Sequence, residues 1–303
     1  MLRVILLIVF LVFPITASAQ NLFIMGWDGA GYNNIKPLLE NGELPNLSRF
    51  LSDGGKLIEV ENHTETATVA GWTTIFTGLT YDITAVAGNK PYNGKVLTPD
   101  DRLNFWLKNL PYHYSFINQL QNQPTAPLKV GWFVSKRFLS DDPSITPLNE
   151  IASNADSYVL SSPNPYYDYL DVLTRATIAF IESHDNQDYV VFMHTNPDFY
   201  GHKFGENSPE YLNEFARSDE AFGQIVPYLS NDTIVIITTD HGFDEGGFNH
   251  INAPDCWMAT NLKIHPQYRT AKKGANMRDI PVTILNQYGL SVNPFLRGKN
   301  LLQ

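Results

Sequence analysis

Several polar clusters in this sequence carry the side-chain types that bind metal ions. Asp198 and His202 stand four residues apart in NPDFYGH, so one helical turn would aim both side chains in the same direction. Asp28 stands in GWDG, directly after an apolar run. Carboxylate oxygens and imidazole nitrogens are both good zinc ligands. Each cluster alone is more typical of a turn or a capped loop, so the metal-site interpretation depends on the clusters acting together.

A third cluster joins a carboxylate to two imidazoles. Asp240 and His241 follow directly on an Ile-rich run, and His250 comes after them in GGFNH. The glycines permit a tight return of the backbone, which would carry His250 back toward the first two side chains. An Asp-His pair at a strand end, followed by a glycine-rich loop and another His, predicts that two or three ligands converge there.

A fourth cluster is rich in hydroxyl groups and opens a short apolar helix, in TATVAGWTTIFTGL. A threonine at this position is either the N-cap of the helix or a nucleophile. The free backbone N–H groups and the dipole at a helix N-terminus bind phosphate oxygens, and a hydroxyl held there beside a metal ion would be an activated nucleophile. The candidate hydroxyls belong to Thr66, Thr68, Thr73 and Thr74.

The elements that must position these clusters alternate between strands and helices. Short apolar runs rich in β-branched residues predict strands over Leu22–Met25, Val130–Phe133, Tyr189–Met193 and Thr233–Thr238. Helices are predicted over Tyr167–Ser183 and from Pro209 onward, with Ser208 as the N-cap. The alternation predicts an α/β fold with a mostly parallel sheet sandwiched by helices. Its functional groups should lie beyond the carboxyl ends of the strands.

The first residues of the chain have the pattern of an export signal. Arg3 precedes the apolar run Val4–Phe13, and Ala17–Ala19 matches the small-residue pattern that signal peptidase accepts. The apolar run is shorter than the roughly 20 residues of a membrane-spanning helix. We therefore predict a signal peptide over residues 1–19 and a periplasmic or secreted mature protein without a membrane span.

The mature chain, residues 20–303, is expected to form one catalytic domain with a cap inserted at about residues 81–165, where the pattern is less regular and rich in Asn, Pro, Tyr and Trp. Hydrophobic residues at 43% and charged residues at 17% are typical of a globular protein. The net charge of -10 disfavours a nucleic-acid duplex as partner. The one cysteine, Cys256, has no intramolecular disulfide partner.

Taken in order, the clusters resemble one family along nearly the whole mature chain. The matching pieces are MGWDGAG, GELPNLSRFLSDGG, TVAGWTTIFTGL, PDFYGHKFG, TTDHGF, GGFNH and, near the end, MRDIPVTILNQYGL. They are similar to the alkaline phosphatase superfamily, and most similar to its nucleotide pyrophosphatase/phosphodiesterase branch. The resemblance implies an alkaline phosphatase-like fold and the hydrolysis of a small phosphate ester or a nucleotide-like substrate.

The resemblance also implies a role for each chemical cluster. Two divalent metal ions are expected, Zn²⁺ by preference, although the ligand types also suit Mn²⁺. The implied ligands of one ion are Asp198, His202 and His250. The implied ligands of the other are Asp28, Asp240 and His241, with Thr68 bridging to it. Thr68 takes the place of the nucleophile and would form a phosphothreonine intermediate.

Other functions remain open beside the phosphodiesterase. Gly71 stands three residues after Thr68, where the phosphodiesterase branch usually has an Asn that holds a phosphoryl oxygen. In this chain, either backbone N–H groups near Val69 or the side chain of Asn89 would have to make that contact. A phosphomonoesterase of the same superfamily is one alternative. A metal-bound, non-catalytic binding module is another. The sulfatase branch is disfavoured, because Ala70 and Trp72 stand where it has Pro and Arg.

Overall fold

The structure is a computed structural model. It describes residues 20–63, 65–80, 84, 86, 88–89, 115–123, 127–139, 147–164, 166–269, 274–294 and 296–303. The predicted signal peptide lies outside these ranges. Over the described residues, no helix is both long enough and apolar enough to cross a membrane.

A single sheet forms the centre of the described chain. Its seven strands are β1 (Leu22–Trp27), β2 (Lys56–Glu61), β3 (Lys129–Val134), β4 (Ser157–Leu160), β5 (Tyr189–Thr195), β6 (Ile234–Thr238) and β7 (Asp255–Thr260). Their order across the sheet is β2-β7-β6-β1-β5-β3-β4. The five strands from β6 to β4 are parallel, whereas β7 and β2 form an antiparallel edge. The mostly parallel sheet predicted from the sequence is confirmed.

Helices cover both faces of this sheet. In the described ranges they are α1 (Tyr32–Glu40), α2 (Pro45–Ser52), α3 (Thr68–Thr77), α4 (Phe116–Gln121), α5 (Pro147–Ser153), α6 (Tyr169–Ser183), α7 (Pro197–Phe204), α8 (Pro209–Ile225) and α9 (Asp279–Gln287). Successive residues of a strand enter opposite hydrophobic clusters: Ile24 packs in one and Phe23 and Met25 in the other. A strand buried on both faces reads as a continuous apolar run, which is why these strands are visible in the sequence.

The element predictions hold with small changes at the ends. β1, β3 and β5 are each one or two residues longer than predicted at one end or both, while β6 begins one residue later at Ile234. α8 begins at Pro209, and the Ser208 hydroxyl accepts a hydrogen bond from the Tyr211 N–H at 3.2 Å, as expected of its N-cap. The antiparallel edge, β2 and β7, was not predicted.

The inserted cap at about residues 81–165 stays a prediction. Residues 90–114 and 140–146 of that range lie outside the described residues. Within the same range, β3 pairs with β5 and β4 pairs with β3 in the central sheet. The part of the range from residue 129 onward thus contributes strands to the core.

Candidate functional site

The polar clusters meet at the carboxyl ends of neighbouring strands in the middle of the sheet. β6, β1, β5 and β3 are neighbours and run in the same direction. Their carboxyl ends therefore deliver the residues that follow them to a common place. Asp28 follows β1 directly, Asp240 and His241 follow β6, and Asp198 follows β5 at the start of α7.

Local capping fixes the helix that carries two of these side chains. The Asn196 side chain accepts a hydrogen bond from the Phe199 N–H at 3.1 Å and caps α7. The backbone N–H of Asp198 donates to the Asp28 carbonyl oxygen at 2.9 Å, which ties the start of α7 to the end of β1. His202 lies one turn further along α7, on the same side as Asp198.

Six of the predicted residues form two groups of side chains whose ligand-type atoms lie within 4.8 Å of one another. The open group contains Asp198, His202 and His250, and its His202 is exposed. The buried group contains Asp28, Asp240 and His241, all inaccessible to solvent. The two groups contain the same residues as the two ligand sets that the resemblance implied.

Hydrogen bonds fix how each imidazole of the two groups is protonated. Each donates its Nδ1–H to a backbone carbonyl: His202 to Phe248 at 2.7 Å, His241 to Gly242 at 2.9 Å, and His250 to Thr66. A carbonyl oxygen can only accept, so Nδ1 carries the hydrogen and the Nε2 lone pair is left for a cation. The Nε2 atoms of His202 and His250 lie 3.1 Å apart, a close approach of two lone pairs that a shared cation would relieve.

Unpaired buried atoms test whether a metal fits. In the described part of the chain, Asp198 Oδ1, Asp240 Oδ2 and His241 Nε2 are buried without a hydrogen-bond partner. Such atoms are costly unless something coordinates them. Their oxygen and nitrogen chemistry suits Zn²⁺, and with three carboxylates also Mn²⁺. The residues present therefore fit two divalent ions.

The carboxylates of the site shift each other's proton affinities. Burial, together with the nearby Asp28 charge, raises the pKa of Asp240 well above its usual range. Burial alone would also raise the pKa of Asp28 and Asp198, but the Lys136 ammonium and the nearby histidines together outweigh burial, and the pKa of both carboxyls is lowered. A divalent cation would neutralise this concentration of buried negative charge.

Thr68 opens α3 next to these groups. Its hydroxyl lies 3.5 Å from Asp28 Oδ1 and accepts a hydrogen bond from Lys136 Nζ at 3.0 Å. Among the four candidate threonines, Thr68 is the one whose hydroxyl bonds to a member of either group. The Thr66 hydroxyl donates instead to the Ile251 carbonyl, and that of Thr74 donates to the Leu79 carbonyl.

Gly71 explains how α3 comes so close to the buried group. A Cβ at residue 71 would lie 2.7 Å from Asp240 Cβ and 3.0 Å from the Asp240 carbonyl oxygen. Real Cβ contacts are essentially never this short, so an Asn cannot stand here without moving the helix. Asn89 instead accepts a hydrogen bond from the Val69 N–H at 3.0 Å, at the N-terminus of α3.

Sequence reasoning missed Lys136, the cation of this site within the described ranges. Lys136 Nζ lies 2.7 Å from Asp28 Oδ1 and 2.5 Å from Asp198 Oδ2. Burial would lower its pKa, yet the surrounding carboxylates Asp198, Asp28 and Asp240 raise it, so the ammonium is charged. The signal existed: Lys136 follows the predicted strand Val130–Phe133, as the other clusters follow theirs.

A second residue without an assigned role is His194, near the end of β5. Its Nε2 lies 2.8 Å from Asp28 Oδ2, and its Nδ1 lies 2.6 Å from Ser135 Oγ. Trp72 Nε1 donates to the same Asp28 oxygen at 3.1 Å. His194 and Trp72 thus orient the Asp28 carboxylate, a role that has no sequence motif because the partners are far apart in the chain.

Asp244 lies in the glycine-rich loop that leads from His241 to His250. Its carboxylate accepts hydrogen bonds from the Ile251 N–H at 3.1 Å and the Asn252 N–H at 2.8 Å. It thereby holds the glycine-rich loop closed on the far side of His250.

Comparisons with known proteins agree with this architecture. The bis(5'-adenosyl)-triphosphatase ENPP4 of Bos taurus is 28% identical over 250 residues, covering 76% of this chain and 49% of the relative. The chain therefore spans about half the length of this curated relative. Among solved structures, the C-terminal periplasmic domain of EcEptC from Escherichia coli, in complex with Zn, has a TM-score of 0.59 at 10% identity, covering 91% of this chain and 84% of that one.

Sulfatases share the same fold. The 2-O GAG sulfatase BT1596 has a TM-score of 0.61 at 10% identity and covers 93% of this chain and 73% of its own. At such identities the likeness shows the fold alone. The sequence profile described as type I phosphodiesterase / nucleotide pyrophosphatase matches residues 22–286. With this match along most of its length, and with the fold of the alkaline phosphatase superfamily around its Asp and His clusters, the chain belongs to the type I phosphodiesterase / nucleotide pyrophosphatase family.

Proposed function

We propose that this protein hydrolyses phosphate esters with two divalent metal ions, by way of a phosphothreonine intermediate on Thr68. The observation that carries this proposal is the placement of the Thr68 hydroxyl at the N-terminus of α3, 3.5 Å from Asp28 of the buried group and 3.0 Å from Lys136, which also contacts Asp198 of the open group. Family membership supports the same reaction class.

The metal ions, when bound, would supply positive charge against the attacking and leaving oxygens. The chain provides the remaining parts. Thr68 Oγ forms a bond to phosphorus while the bond between phosphorus and the ester oxygen breaks, and the alcohol leaves with that oxygen. Water then cleaves the phosphothreonine, which releases the phosphoryl group and restores the Thr68 hydroxyl. The start of α3 places backbone N–H groups and the positive end of the helix dipole next to the transferred phosphoryl group.

Asn89 is the better of the two candidates for contacting a phosphoryl oxygen. The Val69 N–H already donates to Asn89 Oδ1. This bond turns the amide oxygen toward the helix and leaves the Asn89 NH₂ group as the available donor. An amide fixed in this way costs little reorganisation in the transition state.

Replacing Thr68 by Ala tests the nucleophile. We expect the hydrolysis of p-nitrophenyl esters to fall by at least about a thousandfold, with the thermal unfolding temperature and bound metal retained. Thr66→Ala is the matched control, because it removes a neighbouring hydroxyl but keeps the carbonyl that His250 uses. Retained turnover in Thr68→Ala would rule out Thr68 as nucleophile. Wild-type protein that binds nucleotides and turns over no ester would support the binding module.

A phosphomonoesterase is the second candidate, and one observation favours it. The Lys136 ammonium donates to the Thr68 hydroxyl, so a fixed positive charge lies beside the place of the transferred phosphoryl group. A monoester brings one more ionised oxygen to this charge than a diester does. Family membership favours the diester. Comparing kcat/KM for bis-p-nitrophenyl phosphate and p-nitrophenyl phosphate decides between them.

We also propose that the mature protein acts outside the cytoplasm, after removal of residues 1–19. Support comes from the small-residue pattern Ala17–Ala19 behind the apolar run. N-terminal sequencing of the protein from a secreting host would find Gln20 first if this proposal is right, and Met1 if it is wrong.

A further inference from the structure

Lys136 connects the open group to the buried group. Its Nζ lies between Asp28, which belongs to the buried group, and Asp198, which belongs to the open group. The side chain is only 13% exposed, so water screens its charge weakly. Any cation that binds either group therefore binds within the field of this ammonium.

Asp198 and Asp28 differ in which of their oxygens contact Lys136. Asp198 accepts a hydrogen bond from Lys136 Nζ on Oδ2. Its other oxygen, Oδ1, lies 3.3 Å from His202 Nε2 and 3.6 Å from His250 Nε2 and has no hydrogen-bond partner among the described residues. A cation in the open group can therefore use an oxygen that the ammonium leaves free.

Asp28 offers no such spare oxygen. Its Oδ2 is taken by His194 Nε2 at 2.8 Å and by Trp72 Nε1 at 3.1 Å. Its Oδ1 is the oxygen 3.9 Å from His241 Nε2, and it is also the oxygen 2.7 Å from Lys136 Nζ. A cation in the buried group must therefore share its Asp28 oxygen with a positive charge.

We propose that Lys136 makes the two ion positions unequal, so that a divalent cation binds the open group more tightly and the buried group more weakly. The physical reason is repulsion at short range, combined with competition for Asp28 Oδ1. The inference rests on the proposed two-ion site. It implies that the ion of the buried group is the exchangeable one, so that available metal controls how much protein is fully loaded.

The test is Zn²⁺ binding, measured by calorimetry on the chelator-stripped mature chain with a competing chelator. For the wild type we expect two classes of site of unequal affinity. In Lys136→Met the weaker site should tighten by on the order of tenfold or more, while the tighter site changes by less than about threefold. His241→Gln should remove the weaker site and His202→Gln the tighter one.

Lys129→Met is the matched control. Lys129 lies at the start of the same strand, β3, and its ammonium pairs with Asp156 at 2.8 Å, away from both groups. Both affinities should stay at the wild-type values. If stripped Lys136→Met does not fold, Lys136→Gln, which keeps a hydrogen-bond donor without the charge, replaces it, and the same tightening is expected.

Two results would overturn the inference: equal affinities in the wild type, or an affinity ratio that Lys136→Met and Lys136→Gln leave unchanged. Because binding is measured without substrate, this failure differs from failure of the proposed function. Unequal sites that respond to Lys136 in a protein without ester hydrolysis would refute only the proposed reaction.

Discussion

The imidazole of His194 lies between Ser135 and Asp28, and both of its nitrogens are used. Burial lowers the pKa of His194 below its ordinary value, although Asp28 opposes this shift, so the ring is neutral. A neutral ring that accepts from the Ser135 hydroxyl must carry its hydrogen on Nε2 and donate it to Asp28. At the scale of single residues, the orientation of the Asp28 carboxylate therefore depends on a neighbour that belongs to neither group.

Replacing His194 by Phe should weaken metal binding by roughly 10- to 100-fold while the protein stays folded. The Phe ring keeps the packing against Trp72 and Phe192 but cannot hold Asp28. Equilibrium dialysis with Zn²⁺ and thermal unfolding measure the two properties. His184→Phe is the control, since His184 also packs on an aromatic ring, that of Phe180, but lies at the C-terminal end of α6. Equal zinc affinity in the two variants would refute the orienting role.

At the scale of elements, an ion pair links α6 and α8 behind the site. Arg217 of α8 contacts Glu214 at 2.7 Å and Asp168, the N-cap of α6, at 2.5 Å. Glu214 is buried, and its carboxylate accepts a hydrogen bond from the Tyr169 hydroxyl, which in turn accepts one from the Asn196 N–H. Because Asn196 caps α7, this chain of contacts supports the helix that carries Asp198 and His202 of the open group.

Replacing Arg217 by Gln should lower the free energy of unfolding by about 2 to 3 kcal/mol at pH 8, because it leaves a buried carboxylate without its cation. Burial already raises the pKa of Glu214, and Arg217 counteracts that rise. A carboxyl whose folded pKa is raised loses stabilisation as pH rises from its unfolded value through its folded value. Without Arg217 the folded pKa of Glu214 rises further, so the pH range over which stability is lost extends to higher pH. The loss of unfolding free energy caused by Arg217→Gln should therefore be smaller at pH 5 than at pH 8.

The control for this prediction is Arg175→Gln. Arg175 pairs with Asp171 on the surface of α6 at 2.8 Å, with 70% of its side chain exposed. Such pairs contribute about 0 to 1 kcal/mol, with little pH dependence between 5 and 8. Urea unfolding at the two pH values measures both variants. A loss in Arg217→Gln that is the same at both pH values would contradict the assignment to Glu214.

At the scale of the whole molecule, the site gathers three buried carboxylates where central strands of the sheet end. The pKa of Asp240 is raised well above its ordinary value by burial and by the Asp28 charge, so a charged Asp240 is unfavourable in the folded protein. Function and stability therefore conflict here, as is common where charges are gathered for binding.

Replacing Asp240 by Asn should stabilise the chelator-treated protein, because it removes one of the mutually repelling charges. It should also remove much of the stabilisation that added Zn²⁺ gives, since a ligand stabilises the folded state less when its affinity for that state is lower. Thermal unfolding with and without Zn²⁺ measures both effects. Asp232→Asn, in an exposed turn before β6, is the control and should change neither. A lower unfolding temperature for chelated Asp240→Asn would contradict the repulsion argument.

By itself, the sequence predicted four of the seven described strands, β1, β3, β5 and β6, together with the start of α8 and the polar side chains of the two groups. Buried parallel strands are continuous apolar runs, and the N-cap Ser208 is followed by Pro209, so both are local signals. Asp198 and His202 share a helical turn, and Asp240 and His241 are adjacent, which also makes them local. The resemblance to the superfamily then joined the clusters into two groups.

Only the tertiary structure decided how those groups are oriented and charged. Lys136, His194 and Trp72 reach Asp28 across separations of 108, 166 and 44 residues. Which ring nitrogen carries the hydrogen is set for His202 by the Phe248 carbonyl and for His250 by the Thr66 carbonyl, both in other segments of the chain. The need for glycine at residue 71 comes from Asp240, just after the end of β6. These features arise where strand ends and helix starts meet in space, and no local pattern of residue types records that meeting.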